Sequence, residues 1–244
     1  MTYRVLVNGA RGKMGQLAVA TLEKQPQFEL VGTLGREDDL RRAIADLQAD
    51  IVVELTNATC VYENSLVIVE QNAHPVIGAS GLLPEQITRL QTVCATKKLG
   101  GLIVPNFSIA AVLMIRFAAM AAAYLPDVEI IEAHHPQKID APSGTALKTA
   151  EMIASARDFK KNQSAQHEEK KEVRGKLYHE VPIHAIRISG VLARQQVLFG
   201  SIGETLSITH ESIDRVSFMP GLIRACERVS GLDGLYYGLE HVLE

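Results

Sequence analysis

The first residues of the chain restrict its fold more than any others. Tyr3 to Asn8 reads Tyr-Arg-Val-Leu-Val-Asn, a run suited to a buried parallel strand. It leads directly into Gly9-Ala10-Arg11-Gly12-Lys13-Met14-Gly15 and then into helical spacing from Gln16 to Lys24. In a strand, glycine-rich turn, helix unit each glycine has a steric task. The first makes the tight turn, the second lets backbone approach a pyrophosphate, and the third lets the helix pack on the strand. N–H groups at the helix start then hold phosphate oxygens. Glycines at 9, 12 and 15 depart from the usual spacing, but their flanking elements favour a dinucleotide site over a flexible turn without a ligand.

Glu29 to Leu34 supplies the next strand. About 20 residues after the glycines, an acid at such a strand end would hold the ribose hydroxyls of NAD. Gly35 and Arg36 stand there instead. A small residue followed by a cation suits a 2′-phosphate, and Arg11 and Lys13 add positive charge, so NADPH is expected in preference to NADH, with NADH still usable. Glu37-Asp38-Asp39 would supply a competing carboxylate if the strand ran further; otherwise it marks a solvated helix start, which acids favour.

The alternation continues with strands at Asp50–Leu55, His74–Gly78 and Gly101–Pro105, and helices at Tyr62–Gln71 and Pro84–Lys98. In an open parallel sheet, ligands bind at the carboxyl ends of the strands. The ends Thr56–Thr59, Gly78–Gly81 and Asn106–Ser108 should therefore face the same crevice as the glycine turn. His74, beside Pro75 at a strand opening, is read as structural.

After Ser108 the pattern changes. Ile109 to Tyr124 is one apolar helix; the Ile109–Leu125 run carries Arg116 centrally and is too short for a membrane span, so a buried helix is expected. Val128 to Ile131 reads as a buried strand and Ala146 to Arg157 as a helix. Residues 158 to 180 form a charged, exposed excursion holding His167 and His179. Then Ile183–Ile188, Val191–Phe199 and Glu204–Glu211 follow as hairpin strands of an antiparallel or mixed sheet, a domain separate from the parallel one. Pro220–Val229 and Leu235–Leu243 resume helical spacing. A net charge of -3 gives no reason to expect nucleic acid or a membrane as partner. The three cysteines, Cys60, Cys94 and Cys226, have no close spacing, and Met1 leads into a strand without a signal segment, so the cytosol is the expected compartment.

The densest chemistry lies in Glu132 to Ala146: Glu-Ala-His-His-Pro-Gln-Lys-Ile-Asp-Ala-Pro-Ser-Gly-Thr-Ala. Its prolines and glycine forbid a regular helix or central strand, so it is expected as a loop too polar to build a core. Three readings compete for His134, His135 and Lys138. A zinc site is disfavoured because adjacent histidines do not converge on one ion and neither a helical i, i+4 pair nor a cysteine completes a set; no metal is expected. A purely structural polar loop is the second. The third is acid–base work with anion binding: histidine exchanges protons near neutral pH, lysine offers a cation, and Ser143-Gly144-Thr145 at a helix start suits a carboxylate. Joined to a nicotinamide domain, such a loop suggests reduction of a small carboxylated substrate.

Glu132 to Ala146 resembles the signature of the 4-hydroxy-tetrahydrodipicolinate reductase (dihydrodipicolinate reductase) family, and the likeness extends through Gly9–Gly15, Gly78–Gly81, Pro105–Ser108 and Gly203–Pro220. The loop motif is highly specific to that family; the glycine turn is not. The resemblance implies an α/β chain: a Rossmann-like parallel-sheet nucleotide-binding domain, 1–108 with 216–244, and an α+β substrate and tetramerisation domain, 109–215, in a homotetramer. It implies an NAD(P)H-dependent reduction in lysine and diaminopimelate biosynthesis, with His134 as proton donor or acceptor and Lys138 as proton donor. His135, Ser143, Gly144 and Thr145 would bind a dicarboxylate. Cofactor contacts would fall on Gly9, Ala10, Arg11, Gly12, Lys13, Met14, Arg36, Gly78, Ala79, Ser80, Val104, Pro105, Asn106 and Phe107. Two departures stand out. Gly35 replaces an acid that the family often carries, in agreement with the charge argument for NADPH, and Gly78-Ala79-Ser80-Gly81 differs from the common Gly-Thr-Thr-Gly. Hinges near Ser108 and Arg215 would accompany domain closure. The competing classes are another nicotinamide oxidoreductase, such as an amino-acid or sugar dehydrogenase, and a dinucleotide sensor without turnover.

Overall fold

A computed structural model describes residues 2–157 and 173–243, so His167 and most of the charged excursion lie outside the described residues. In chain order the elements are β1 (Tyr3–Asn8), α1 (Lys13–Leu22), β2 (Phe28–Leu34), α2 (Leu40–Asp46), β3 (Ile51–Glu54), α3 (Val61–Glu70), β4 (His74–Ile77), α4 (Pro84–Lys97), β5 (Gly101–Ile103), α5 (Ile109–Ala122), β6 (Asp127–His134), α6 (Gly144–Ala156), β7 (Lys176–Tyr178), β8 (Val181–Arg187), β9 (Ala193–Ser201), β10 (Glu204–Ser212), α7 (Met219–Arg228) and β11 (Leu235–Tyr237). They form two compact units, Met1–Ile109 with Arg215–Glu244, and Ala110–Asp214.

The first unit holds a parallel sheet in the order β11-β5-β4-β3-β1-β2. The middle of its central strands is apolar, as burial on both faces requires: Val5, Leu6, Val7, Ile51, Val52 and Val53 are all inaccessible. The chain leaves β1 towards β2 and returns to the other side of β1 as β3, so the strand order reverses between β1 and β3. That reversal is the place where ligands of open α/β sheets bind. Asn8 is level with Leu34 on one side and Glu54 on the other, which brings the ends of β1, β2 and β3 to one edge.

Two stretches differ from the sequence reading in the elements they form: Lys176–Tyr178, inside the expected excursion, is strand β7 because it pairs with Val181–Ile183 of β8, and the C-terminal stretch is the other. Leu235–Leu243 is not a helix: Leu235–Tyr237 is strand β11, paired in parallel with β5, and only Leu239–Val242 winds, as a short 3-10 turn. The aromatic run Tyr236-Tyr237 suits a strand, and Gly238 at φ +116° breaks the chain direction after it.

The second unit is a mixed sheet, β10-β9-β6-β8-β7, in which β6 and β8 run parallel and the other neighbours antiparallel. Met114 and Ala118 of α5 and Ala146, Ala150 and Ile153 of α6 pack with Ile130, Ile183, Val197 and Phe199 of the sheet. Arg116, Phe117 and Met120 of α5 are exposed, so the apolar run is amphipathic rather than wholly interior. Among the described residues no helix is long and apolar enough to cross a membrane.

Candidate active site

The polar cluster is not all loop. Strand β6 continues through Glu132 and Ala133 to His134, paired on both sides with β8 and β9, so the opening of the cluster belongs to the middle of a sheet. Glu132 and Ser143 are buried, at 0% and 2% exposure, which overturns the expectation that this segment contributes nothing to an interior. The reason is charge compensation. The Glu132 carboxylate receives Arg187 Nη1 at 2.9 Å and Nη2 at 3.0 Å, His134 Nδ1 at 2.6 Å and the Ser143 N–H at 3.1 Å. Burial alone would raise its pKa, but the hydrogen bonds from His134 and Arg187 outweigh burial and hold it below its usual value.

The rest of the loop hangs on the same arginine. Arg187 Nε donates to the Lys138 carbonyl at 3.3 Å and Nη2 to the Asp140 carbonyl at 2.7 Å. Lys138 Nζ contacts both Asp140 oxygens at 2.8 Å, and that bond is the main reason Asp140 titrates below its ordinary value. The Asp140 side chain therefore orients the Lys138 ammonium. His134 and Lys138 keep 14% and 23% of their side-chain surface, enough for a small molecule to reach them. His135 Nδ1 lies 3.1 Å from Gln137 Oε1. Ser143 is the N-cap of α6, its hydroxyl accepting from Ala146 N at 3.2 Å, while Gly144 is exposed with open space around it. The loop thus presents a helix N-terminus, with its partial positive charge, beside two proton-bearing side chains. Sequence reasoning missed the structural weight of Glu132 and missed Arg187 altogether.

In the first unit, Gly9 has φ +85° and a side chain on Gly15 would collide with the Gly9 carbonyl, 2.2 Å from its Cβ, so both glycines are sterically required. The N–H groups of Gly9 and Ala10 both donate to the Leu34 carbonyl at 3.0 Å, and that of Gly12 to the Gly9 carbonyl at 3.1 Å. Those bonds shape the turn, which leaves phosphate contact to the first turn of α1. That helix starts at Lys13 rather than Gln16, so Lys13 and Met14 belong to it. The Arg11 side chain lies against Gly35, whose Cβ would sit 2.9 Å from Arg11 Nε, and Arg36 is exposed next door. The acidic run beyond is engaged locally: Asp38 accepts from Gly35 N at 2.7 Å and Asp39 caps α2 through Arg42 N at 3.0 Å.

Gly78 and Ala79 donate to the Glu54 carbonyl at 2.9 and 3.2 Å, and Ser80 is exposed beyond them. Val104 and Phe107 are buried, the Phe107 ring lying against Gly78, so their side chains serve the core and only their backbone is placed to meet a ligand. Pro105 is exposed, and Asn106 Oδ1 accepts from Ser108 N at 2.8 Å. His74 Nδ1 lies 2.8 Å from the Gly100 carbonyl, a structural contact. A helix start behind required glycines, with two cations at the neighbouring strand end, is a donor set that fits a phosphorylated dinucleotide. Among the described residues no group of three or more His, Cys, Asp or Glu side chains could hold a metal ion.

Comparison with known proteins identifies the family. The family model described as dihydrodipicolinate reductase, N-terminus, matches residues 3–107, and that described as dihydrodipicolinate reductase, C-terminus, matches 110–243. The chain is 57% identical over 243 residues to a 4-hydroxy-tetrahydrodipicolinate reductase of Legionella pneumophila (strain Lens), covering 100% of both chains. It is 48% identical to the one from Coxiella burnetii (strain Dugway 5J108-111), again covering 100% of both. A dipicolinate-bound dihydrodipicolinate reductase from Paenisporosarcina sp. TG-14 superposes with a TM-score of 0.90 at 40% identity, covering 100% of each chain.

Proposed function

The chain belongs to the dihydrodipicolinate reductase family, which reduces 4-hydroxy-tetrahydrodipicolinate to tetrahydrodipicolinate with NAD(P)H in lysine and diaminopimelate biosynthesis, and we propose how its residues divide that work. When bound, the dinucleotide supplies the hydride. Lys13 and Met14, in the first turn of α1, hold its phosphates, the Gly9 to Gly12 turn lies against them, and Gly78 to Ser80 and Val104 to Phe107 contact the rest of the dinucleotide. Arg36 and Arg11 favour a 2′-phosphate and hence NADPH, a reading supported by the local engagement of Asp38 and Asp39. In the second unit His135 and the Ser143-Gly144-Thr145 helix start bind the carboxylates of the substrate, which orients its ring. Lys138 and His134 stabilise and protonate the reduced product. The assembly is a homotetramer and the compartment the cytoplasm, both inferred from family likeness and composition.

The observation that carries this reading is the placement of His134, Lys138 and the start of α6 around the buried Glu132 and its partner Arg187. The test follows NADPH absorbance with substrate generated in situ. Lys138→Ala should lower kcat by ~10²-fold or more, the usual contribution of a positioned acid, and a fully active variant refutes the assignment. Dipicolinate (pyridine-2,6-dicarboxylate) should inhibit this turnover, and indifference to it would point to a different nicotinamide oxidoreductase. Affinities for the two cofactors test the other half: NADH binding as tight as NADPH removes the role given to Arg36.

A further inference from the structure

We infer that Glu132 and Arg187 are the positioning pair of the site, fixing which nitrogen of His134 exchanges the proton and holding the Lys138 loop in register with it. Arg187 cannot be deprotonated and offers its donors in a rigid fork. Two of its nitrogens bracket the Glu132 carboxylate at 2.9 and 3.0 Å, and the same guanidinium reaches the carbonyls of Lys138 and Asp140 at 3.3 and 2.7 Å. A Glu132 carboxylate gripped this way is an acceptor only. The 2.6 Å contact with His134 Nδ1 therefore requires the proton on Nδ1, which leaves Nε2 as the atom that takes or gives one. Oε1 of the same carboxylate accepts the Ser143 N–H at 3.1 Å and so ties in the start of α6. One ion pair thereby references the histidine, the lysine loop and the anion-binding helix end to the β6–β8 pairing, where His134 lies level with Arg187. Hydrophobic residues would fill such an interior at least as stably, so stability alone does not explain a charged pair here.

This inference rests on His134 as a proton carrier, and the test separates the two. In the full-length protein, Glu132→Gln replaces an acceptor by an amide that can donate to Nδ1, moving the ring proton to Nε2. We expect kcat to fall by ~10²-fold, as when a histidine loses its orienting partner, with KM for NADPH changed by no more than about twofold, because binding in the other unit is uniform. The ¹⁵N spectrum of His134 should pass from the Nδ1–H to the Nε2–H tautomer. Wild-type kcat in Glu132→Gln, or an Nε2–H tautomer in the unmodified protein, overturns the inference. If His134→Asn is inactive while Glu132→Gln is fully active, only the positioning role falls. If His134→Asn retains full activity, the proton-carrier reading falls and takes this one with it. Should Glu132→Gln fail to fold, Arg187→Lys keeps the charge but a single ammonium cannot serve both carboxylate oxygens and both carbonyls. We expect it to lose ~10-fold in kcat, and unchanged kcat overturns the pair's role.

Discussion

Among the described residues each unit buries one glutamate completely, and the two are held in opposite ways. Glu54 ends β3 in the parallel sheet, and Glu132 lies in β6 of the mixed sheet; both have 0% exposure. Glu54 receives Asn8 Nδ2 at 2.6 Å, the Thr56 N–H at 3.0 Å and the Thr56 hydroxyl, all neutral groups. Burial dominates there and its pKa is raised, the bonds from Thr56, Asn8 and Asn64 opposing this only in part. Glu132 is as deeply placed but touches a guanidinium and an imidazole, and it titrates below its normal range despite burial. Burial therefore does not decide the charge of an interior carboxyl; a contacting cation does. The difference matches location. Asn8, Glu54 and Thr56 stitch the ends of β1 and β3 together next to the glycine turn, a packing task, whereas Glu132 supports the side chains to which we assign proton exchange.

The comparison breaks first at Arg187. Removing one partner of a buried pair strands the other charge, so Arg187→Met should destabilise the folded chain by about 3 kcal/mol, read from urea unfolding at neutral pH. A loss below about 1 kcal/mol, the size of one ordinary hydrogen bond, would mean that Glu132 does not need its cation and that the two glutamates are alike. The next effect is smaller. Glu54→Gln keeps size and one acceptor among neutral partners and should cost about 1 kcal/mol; a loss as large as that in Arg187→Met would show that Glu54 is charged in the folded state.

Much of this was legible in the sequence where the determinants are neighbours along the chain. Tyr3 to Gly15 announces strand, turn and helix because the steric tasks of its glycines are local, and the Glu132 to Thr145 run places His134, Lys138 and the α6 start on one stretch. What was lost depends on register. Arg187 lies 55 residues from Glu132 and reaches it only because β8 pairs in parallel with β6, a pairing that composition does not encode. The Asn8–Glu54 bond likewise needs the β1–β3 register, 46 positions apart. Leu235–Tyr237 was misread because so short an edge strand carries too few residues to show a period of two, while its longer flanks imitate a helix. Glu132 itself is visible, but its polarity predicts exposure, which holds only when no distant cation is folded against it.

The smallest expected effect is the most direct test of the contrast, because its sign differs between the two glutamates. Burial holds the folded-state pKa of Glu54 above its ordinary value of 4.5, so its contribution is fully present below that value and is lost as pH rises through the folded pKa. Glu132, like Glu129 and Asp140, is depressed, so its contribution is present above the unfolded value and lost as pH falls through the folded one. Mild acidification from neutral pH towards 4.5 should therefore strengthen the protein through Glu54 before the depressed carboxyls begin to weaken it. Urea midpoints of the unmodified chain and of Glu54→Gln, followed over that window, isolate the term, since every other titrating group is common to both. The unmodified chain should gain stability relative to the variant as pH falls. Parallel curves would mean that neutral donors hold a buried carboxylate charged as well as Arg187 does, and the distinction between a packing glutamate and a supporting one would lose its physical basis.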